Sequence, residues 1–244
     1  MTTGDARVAV GVDACPAGWV ASVREDDGLS IEIHESFGSV AEAYPDARIL
    51  VDIPIGLPDE RRRRCDEVAS DLLGCRGISV FYPPSENAIA CDDYDDANDA
   101  HRADVGHGLS RQAFHIRDEI REVAAVVGDD YDGRIREAHP ELCFAGLNGQ
   151  PIAYAKSSER GRRLRRALLA DALDGAEAAY ADALERYPRS AVARDDVLDA
   201  TVLAVAAVES SLATAPAEPD DDEPRIHYLG FEIRVGTRTR PENV

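Results

Sequence analysis

The chain has 244 residues and a formal net charge of −20, from 47 acidic and 27 basic side chains. That length suits one large domain or two small ones, and the charge excludes a broadly basic surface for nucleic-acid backbones at ordinary salt. Lys156 is the only lysine, and the other basic residues are arginines. An acidic, lysine-poor, alanine-rich composition is expected of proteins from a halophilic archaeon. At about 1 M salt the Debye length shrinks to about 3 Å, so such acidity is an adaptation to solvent and says little about partners. The five cysteines, Cys15, Cys65, Cys75, Cys91 and Cys143, contain no C-x-x-C pair, which disfavours a zinc knuckle or a thioredoxin-like motif. Their odd number reads as reduced thiols in a cytoplasmic protein. Met1 to Asp5 has neither a basic stretch nor an apolar core, so no signal peptide is expected. The longest apolar stretch, Val197 to Val208, is too short to span a bilayer.

Residues 7–13 read as a strand, and Cys15-Pro16-Ala17-Gly18 as a turn. Trp19 to Arg24 is a second strand, with Trp19 a core residue by default. A hairpin signal at Glu25-Asp26-Asp27-Gly28 leads to a third strand, on which Leu29, Ile31 and Ile33 share a face. Phe37 to Tyr44 suits a short helix, and Arg48 to Ile53 a central strand covered on both sides. Residues 59–73 read as an Arg-rich helix whose run Arg61 to Arg64 suits a solvated, salt-bridged face. Ser110 to Val127 has helical spacing, and Arg134 to Ala138 reads as a strand leading into His139-Pro140-Glu141. Residues 158–186 suit one or two helices, Asp195 to Ala213 another, and Ile226 to Val235 a last strand. The expected organisation is a single domain over 1–244, with a mostly helical insertion at about 59–130 and a flexible acidic segment at about 214–224.

Acidic residues punctuate the apolar segments. Asp13 follows Val8 to Val12, Asp52 closes Ile49-Leu50-Val51, and Glu141 follows His139-Pro140. Asp195, Asp196 and Asp199 stand at the start of the apolar helix. Carboxylates beside buried elements are costly unless they pair or bind a cation, and several converging ones point to a divalent-metal site. Each also has a plainer role. Asp13 can cap the turn at Pro16, Asp195 is a natural N-cap, and Asp196 complements the helix dipole. Asp199 lies a full turn in, where the dipole explains it poorly. His139 beside a proline is more often structural than catalytic. Gly74-Cys75-Arg76-Gly77 lacks the Gly-Lys-Ser/Thr ending of a phosphate loop, and no G-x-S-x-G, H-E-x-x-H or G-x-G-x-x-G occurs.

Three strands, a helix and a buried strand form the opening order of the α/β RNase H-like fold. It has a mixed sheet, a three-strand antiparallel meander plus parallel strands, flanked by helices. A set of motifs runs through Gly11-Val12-Asp13 with Gly18-Trp19, Val51 to Leu57, Arg64-Cys65-Asp66 and Val80 to Pro84. It continues through Leu109 to Gln112, His139-Pro140-Glu141 with Cys143-Phe144, Lys156 with Gly161 and Arg165, and Asp195 to Ala200. In these motifs the chain resembles the family called domain of unknown function 429, predicted RNase H-like nucleases. Tyr82 departs from the family's Phe-Pro-x-Pro.

The resemblance implies a phosphodiester hydrolase that uses Mg²⁺ or Mn²⁺, with two ions clamping the attacking and leaving oxygens. Asp13, Asp52, Glu141, Asp195, Asp196 and Asp199 are its candidate ligands. His139 is a candidate proton shuttle, and Lys156 and Arg165 are candidate phosphate contacts. Nucleic acid, DNA or RNA, is the expected partner, with no membrane. A binding or scaffold protein that keeps the fold without catalysis is the main alternative. An actin-like kinase would need a second copy of the core and a Gly-rich phosphate loop, neither of which the sequence contains.

Overall fold

The computed structural model describes residues 8–25, 28–128, 130–131 and 133–231. Asp26 and Asp27 of the expected hairpin, and the expected strand beyond Phe231, lie outside them. Five strands, β1 (Ala9–Cys15), β2 (Gly18–Glu25), β3 (Gly28–His34), β4 (Arg48–Val51) and β5 (Ile135–Glu137), form one sheet in the order β3-β2-β1-β4-β5. The first three are antiparallel, whereas β4 runs parallel to both β1 and β5. Helices cover both faces of this mixed sheet, an α/β architecture consistent with an RNase H-like fold. Two short strands, β6 (Ala213–Ala215) and β7 (Ile226–Tyr228), pair separately, and β7 touches the main sheet through a bridge from His227 to Ala138.

Alternation sorts the side chains of the central strands. Val10, Val12, Ile49 and Val51 face α1 (Phe37–Ala43) and α6 (Arg117–Val127), where they meet Phe37, Val40, Ile120 and Val123. Residues of the opposite parity, Ala9 and Leu50, face the larger core with α7 (Pro140–Asn148), α8 (Glu159–Ala172), α9 (Ala176–Arg186) and α10 (Arg194–Ala207). Asp13 and Asp52 continue that second parity, so their side chains belong to the α10 face. Trp19 is buried against Phe37, and its indole donates to Glu122 on α6 at 2.9 Å. The same carboxylate accepts from the N–H of Phe37 at the start of α1, so one acid satisfies two buried donors.

α10 is buried continuously from Val197 to Ala207 because it is apolar almost all round. It lies against β1 at Gly11, where a Cβ would collide with the backbone of Ala200, Leu203 and Ala204. Only glycine allows helix and strand backbones so close. A hydrogen bond of 3.0 Å between Ser22 and Thr201 fixes the helix against β2 as well. α10 stops at Ala207 and residues 213–215 turn into a strand, so the helix is shorter than the sequence suggests.

Between β4 and β5 the chain forms α2 (Arg64–Leu73), a 3-10 segment (Gly74–Ser79), α3 (Glu86–Ile89), α4 (Tyr94–Val105), α5 (Arg111–His115) and α6. The helix expected from Ser110 to Val127 breaks at Ile116 into α5 and α6. All five cysteines are free. Burial pushes the Cys143 thiol up to about 12, which leaves it an inert core side chain. Among the described residues no helix is long and apolar enough to cross a membrane.

The close approach at Gly11 makes a direct prediction. Gly11→Ala should cost about 2–3 kcal/mol or more, because backbone on both sides leaves nothing flexible to give way. Gly38→Ala, inside α1 where a Cβ meets nothing closer than 3.9 Å, should be neutral or stabilise by up to about 1 kcal/mol. Urea midpoints of the two variants should therefore move in opposite directions or differ by the whole Gly11 effect.

Candidate metal centre

The carboxylates that follow the paired strands β1 and β4 come together because the strands are parallel and in register. Val12 pairs with Val51, and the N–H of Asp52 donates to the carbonyl of Val12 at 3.0 Å. Asp13 and Asp52 are thus neighbours on the α10 side. α10, held down at Gly11, brings Asp199 over them. Ligand oxygens of Asp13, Asp52 and Asp199 all lie within 4.8 Å of one another, so the three can hold a metal ion.

The electrostatics of this triad are strained. Burial, and then the charges of Asp52 and Asp199, raise Asp13 well above the usual carboxylate range. Burial pushes Asp52 up to about 6 and Asp199 up to about 7, with Lys156 pulling both down and neighbouring acids pushing them up. The Lys156 ammonium donates to Asp199 Oδ2 at 2.6 Å. Burial alone would lower Lys156, yet the attraction of Asp199, Asp13 and Asp52 outweighs it and holds the lysine charged. Asp199 Oδ1 is buried with no hydrogen-bond partner among the described residues. Once ionised, three carboxylates against one ammonium leave two negative charges uncompensated, the charge of one divalent cation. Hard oxygen donors, an orphaned oxygen and this excess fit a divalent cation.

The remaining candidates fall outside the triad. Asp196 lines the same cavity, but its Oδ2 accepts from the N–H of Ala193 at 2.9 Å and closes the start of α10. Burial raises its pKa. Asp195 does not line the cavity. Glu141 is held by Arg165, whose Nη2 reaches its two oxygens at 2.7 and 2.6 Å, and both residues are buried. Arg165 is thereby committed to a carboxylate, not presented to a substrate phosphate. His139 caps α7, its Nδ1 accepting from the N–H of Glu141 at 3.2 Å while Nε2 sits 3.3 Å from the carbonyl of Ser79. Nδ1 as acceptor leaves the proton on Nε2, and burial lowers the pKa, so the ring is neutral with both nitrogens in use.

Arg63 corrects the expectation of a solvated arginine run, because it is buried just ahead of α2. It donates to both oxygens of Glu137 at 2.8 Å and to Asp66 at 2.9 and 2.5 Å. It also donates to the carbonyls of Ile55 and Gly56, while Glu137 accepts from the N–H of Ile55 at 2.7 Å. This network fixes the loop that follows Asp52. The sequence reading does not single out Arg63, Asp66 or Glu137 as a network. The available signal was Glu137, an acid inside a buried strand.

A cavity of about 250 Å³ adjoins the triad. Lys156, Arg76, His139 and Asp196 line it, with Pro54, Val80, Phe81, Ile116 and Ile226 supplying an apolar wall. The fold and site together define a mixed-sheet α/β protein with a buried carboxylate centre able to hold a divalent cation. Residues 11–223 match the family described as protein of unknown function (DUF429), and the chain belongs to that family. No curated protein and no solved structure matches the chain.

Three outcomes are expected. Unfolded aspartates titrate near 3.9, so between about pH 4 and 7 the cation-free folded protein binds protons on Asp52 and Asp199 that the unfolded chain has released. That contribution to stability is complete below about pH 4 and lost as the pH rises through 6 to 7. Melting of chelator-treated protein should show this fall, less steeply in Asp199→Asn. Mn²⁺ should raise the melting temperature more at pH 7.5 than at about pH 5, since deprotonated carboxylates bind it. Separately, Arg165→Leu leaves Glu141 buried and unpaired and should cost about 3–5 kcal/mol in denaturant titration.

Proposed function

We propose that the protein is a Mg²⁺- or Mn²⁺-dependent phosphodiester hydrolase, a nuclease acting on DNA or RNA. One observation carries this reading. Three acids distant in sequence, Asp13, Asp52 and Asp199, meet with a buried oxygen left unsatisfied. A divalent ion bound there supplies Lewis-acid polarisation of a phosphoryl oxygen and lowers the pKa of water.

The chain's own residues do the rest. Asp13, on the sheet, and Asp52, on the loop braced by Arg63 and Glu137, present oxygens in fixed positions. Asp199 contributes the third from α10. The side chain of Lys156 is 40 % exposed. It is free to swing from Asp199 when a cation takes that carboxylate, and can then donate to an anionic oxygen of the substrate. Gly161 holds the start of α8 against the carbonyl of Ala155, next to Lys156. The loop therefore keeps this lysine at the mouth of the site.

A second reading has an observation of its own. The ion pair between Lys156 and Asp199 neutralises one member of the triad, as expected of a binding or scaffold protein that has kept the fold without the chemistry. The test is cleavage of end-labelled DNA and RNA with Mn²⁺ in molar KCl. Wild type should cleave at least one polymer, and Asp13→Asn should lose about a hundredfold or more, equivalent to about 2.7 kcal/mol of transition-state stabilisation. Wild type that binds Mn²⁺ but cuts neither polymer would favour the binding role. Cleavage unaltered by Asp13→Asn would remove the triad from the reaction.

A further inference from the structure

One cation in the cavity is not used by the function just described. Arg76 sits in the 3-10 segment Gly74–Ser79 and lines the same cavity as Asp13, Asp52, Asp199 and Lys156. Its Nε is buried without a hydrogen-bond partner, and its guanidinium joins no ion pair, among the described residues. Nε of Arg62, Arg117 and Arg165 is likewise unpaired, but the guanidinium of each nearby arginine is engaged elsewhere. Arg63 and Arg165 are held by carboxylates, Arg62 stacks 4.1 Å over the Tyr82 ring, and Arg117 donates to the carbonyl of Phe114. Burying part of a guanidinium without a partner is costly, and the cost is recovered when an anion arrives.

The segment is also held firmly. A Cβ at Gly77 would press on Ser70 of α2. The Ser79 hydroxyl donates to the carbonyl of Arg76 at 2.8 Å, and the N–H of Val80 donates to Gly77 at 3.0 Å. His139 contacts the carbonyl of Ser79, which ties the segment to the strand exit of β5. The arginine is therefore anchored at its backbone, with its Nε buried and unpaired.

We propose that Arg76 is the substrate-anion-binding residue of this site, donating to a non-bridging phosphate oxygen of an ester held between it and the cation on the triad. The identity of the anion as a phosphate ester rests on the proposed function. Arginine suits the task because its planar fork matches phosphate oxygens and stays charged. Without it, a phosphate approaching Asp13, Asp52, Asp196 and Asp199 would meet mainly negative charge. The wall of Pro54, Val80, Phe81 and Ile116 then faces the group esterified to that phosphate. The volume of about 250 Å³ is at or below the ~300 Å³ lower end of ordinary ligand pockets, so one phosphate and one of its ester groups fit inside while the rest of a polymer stays outside.

The test is calorimetric titration of the full chain with thymidine 5′-monophosphate and with inorganic phosphate, in the presence of Mn²⁺, at the salt that keeps wild type folded. Arg76→Gln should weaken both by tenfold or more. Arg76→Lys should recover part of the loss, and Arg163→Gln, on the exposed face of α8, should bind like wild type. Mn²⁺ titrated alone should bind Arg76→Gln as it binds wild type. The nucleotide should bind more tightly than phosphate if the apolar wall takes its substituent. Equal affinity of folded Arg76→Gln and wild type for both probes overturns the proposal, as does a Mn²⁺-loaded wild type that binds neither. A wild type that binds no Mn²⁺ overturns the proposed function instead. Arg76 is then decided by whether phosphate binding without metal is lost in Arg76→Gln.

Discussion

The contact between α10 and β1 is the constraint on which the rest of the site depends. A helix normally stands off a sheet by the thickness of its side chains. Gly11 removes one layer at the crossing, and the alanines of α10, Ala200 and Ala204, remove most of the other. The helix backbone drops onto the strand two residues before Asp13, and Asp199 at the preceding turn descends with it. The apolar burial of Val197, Leu198, Val202 and Leu203 holds the acid in place against the repulsion of its neighbours.

Around that contact, charge is sorted by partner. The outer acids, Glu137, Asp66 and Glu141, each meet a buried arginine that also satisfies backbone carbonyls, so their charges are compensated inside the fold. Among the described residues the inner acids, Asp13, Asp52 and Asp199, share one cation, Lys156. A fold that neutralises the carboxylates of its loops and gathers three others around one lysine has made a point that can hold a cation. The braces serve the same end, because Arg63 and Glu137 fix the loop after Asp52 and Arg165 fixes the start of α7. Flexible supports would let repulsion push the triad apart.

Much of this was legible along the chain. Alternation in Val8 to Asp13 and in Ile49 to Asp52 puts each acid at the end of a buried strand, and parallel pairing puts both on one side. The apolar run after Asp199 announced a buried helix, and Asp199 was the member of its acidic group that capping and dipole could not explain. Partner choice was harder to read. Arg165 and Lys156 look alike as candidate phosphate contacts, yet one closes on Glu141 and the other on Asp199. Arg63 looks like its neighbours in an arginine run, yet it alone of Arg61 to Arg64 turns inward. Arg76 gave no local signal beyond a glycine-flanked segment that fails as a phosphate loop.

The sequence by itself determined the elements and the carboxylates at their ends, because hydrophobic period and turn chemistry act over a few residues. It also determined that α10 can approach β1, since glycine and alanine are the residues that allow backbones to touch. Which acids converge, which are cancelled by arginine, and which arginine stays open were decided only by the tertiary structure. Those outcomes turn on distances between segments far apart in the chain, where a shift of a few ångströms exchanges an ion pair for an empty coordination site.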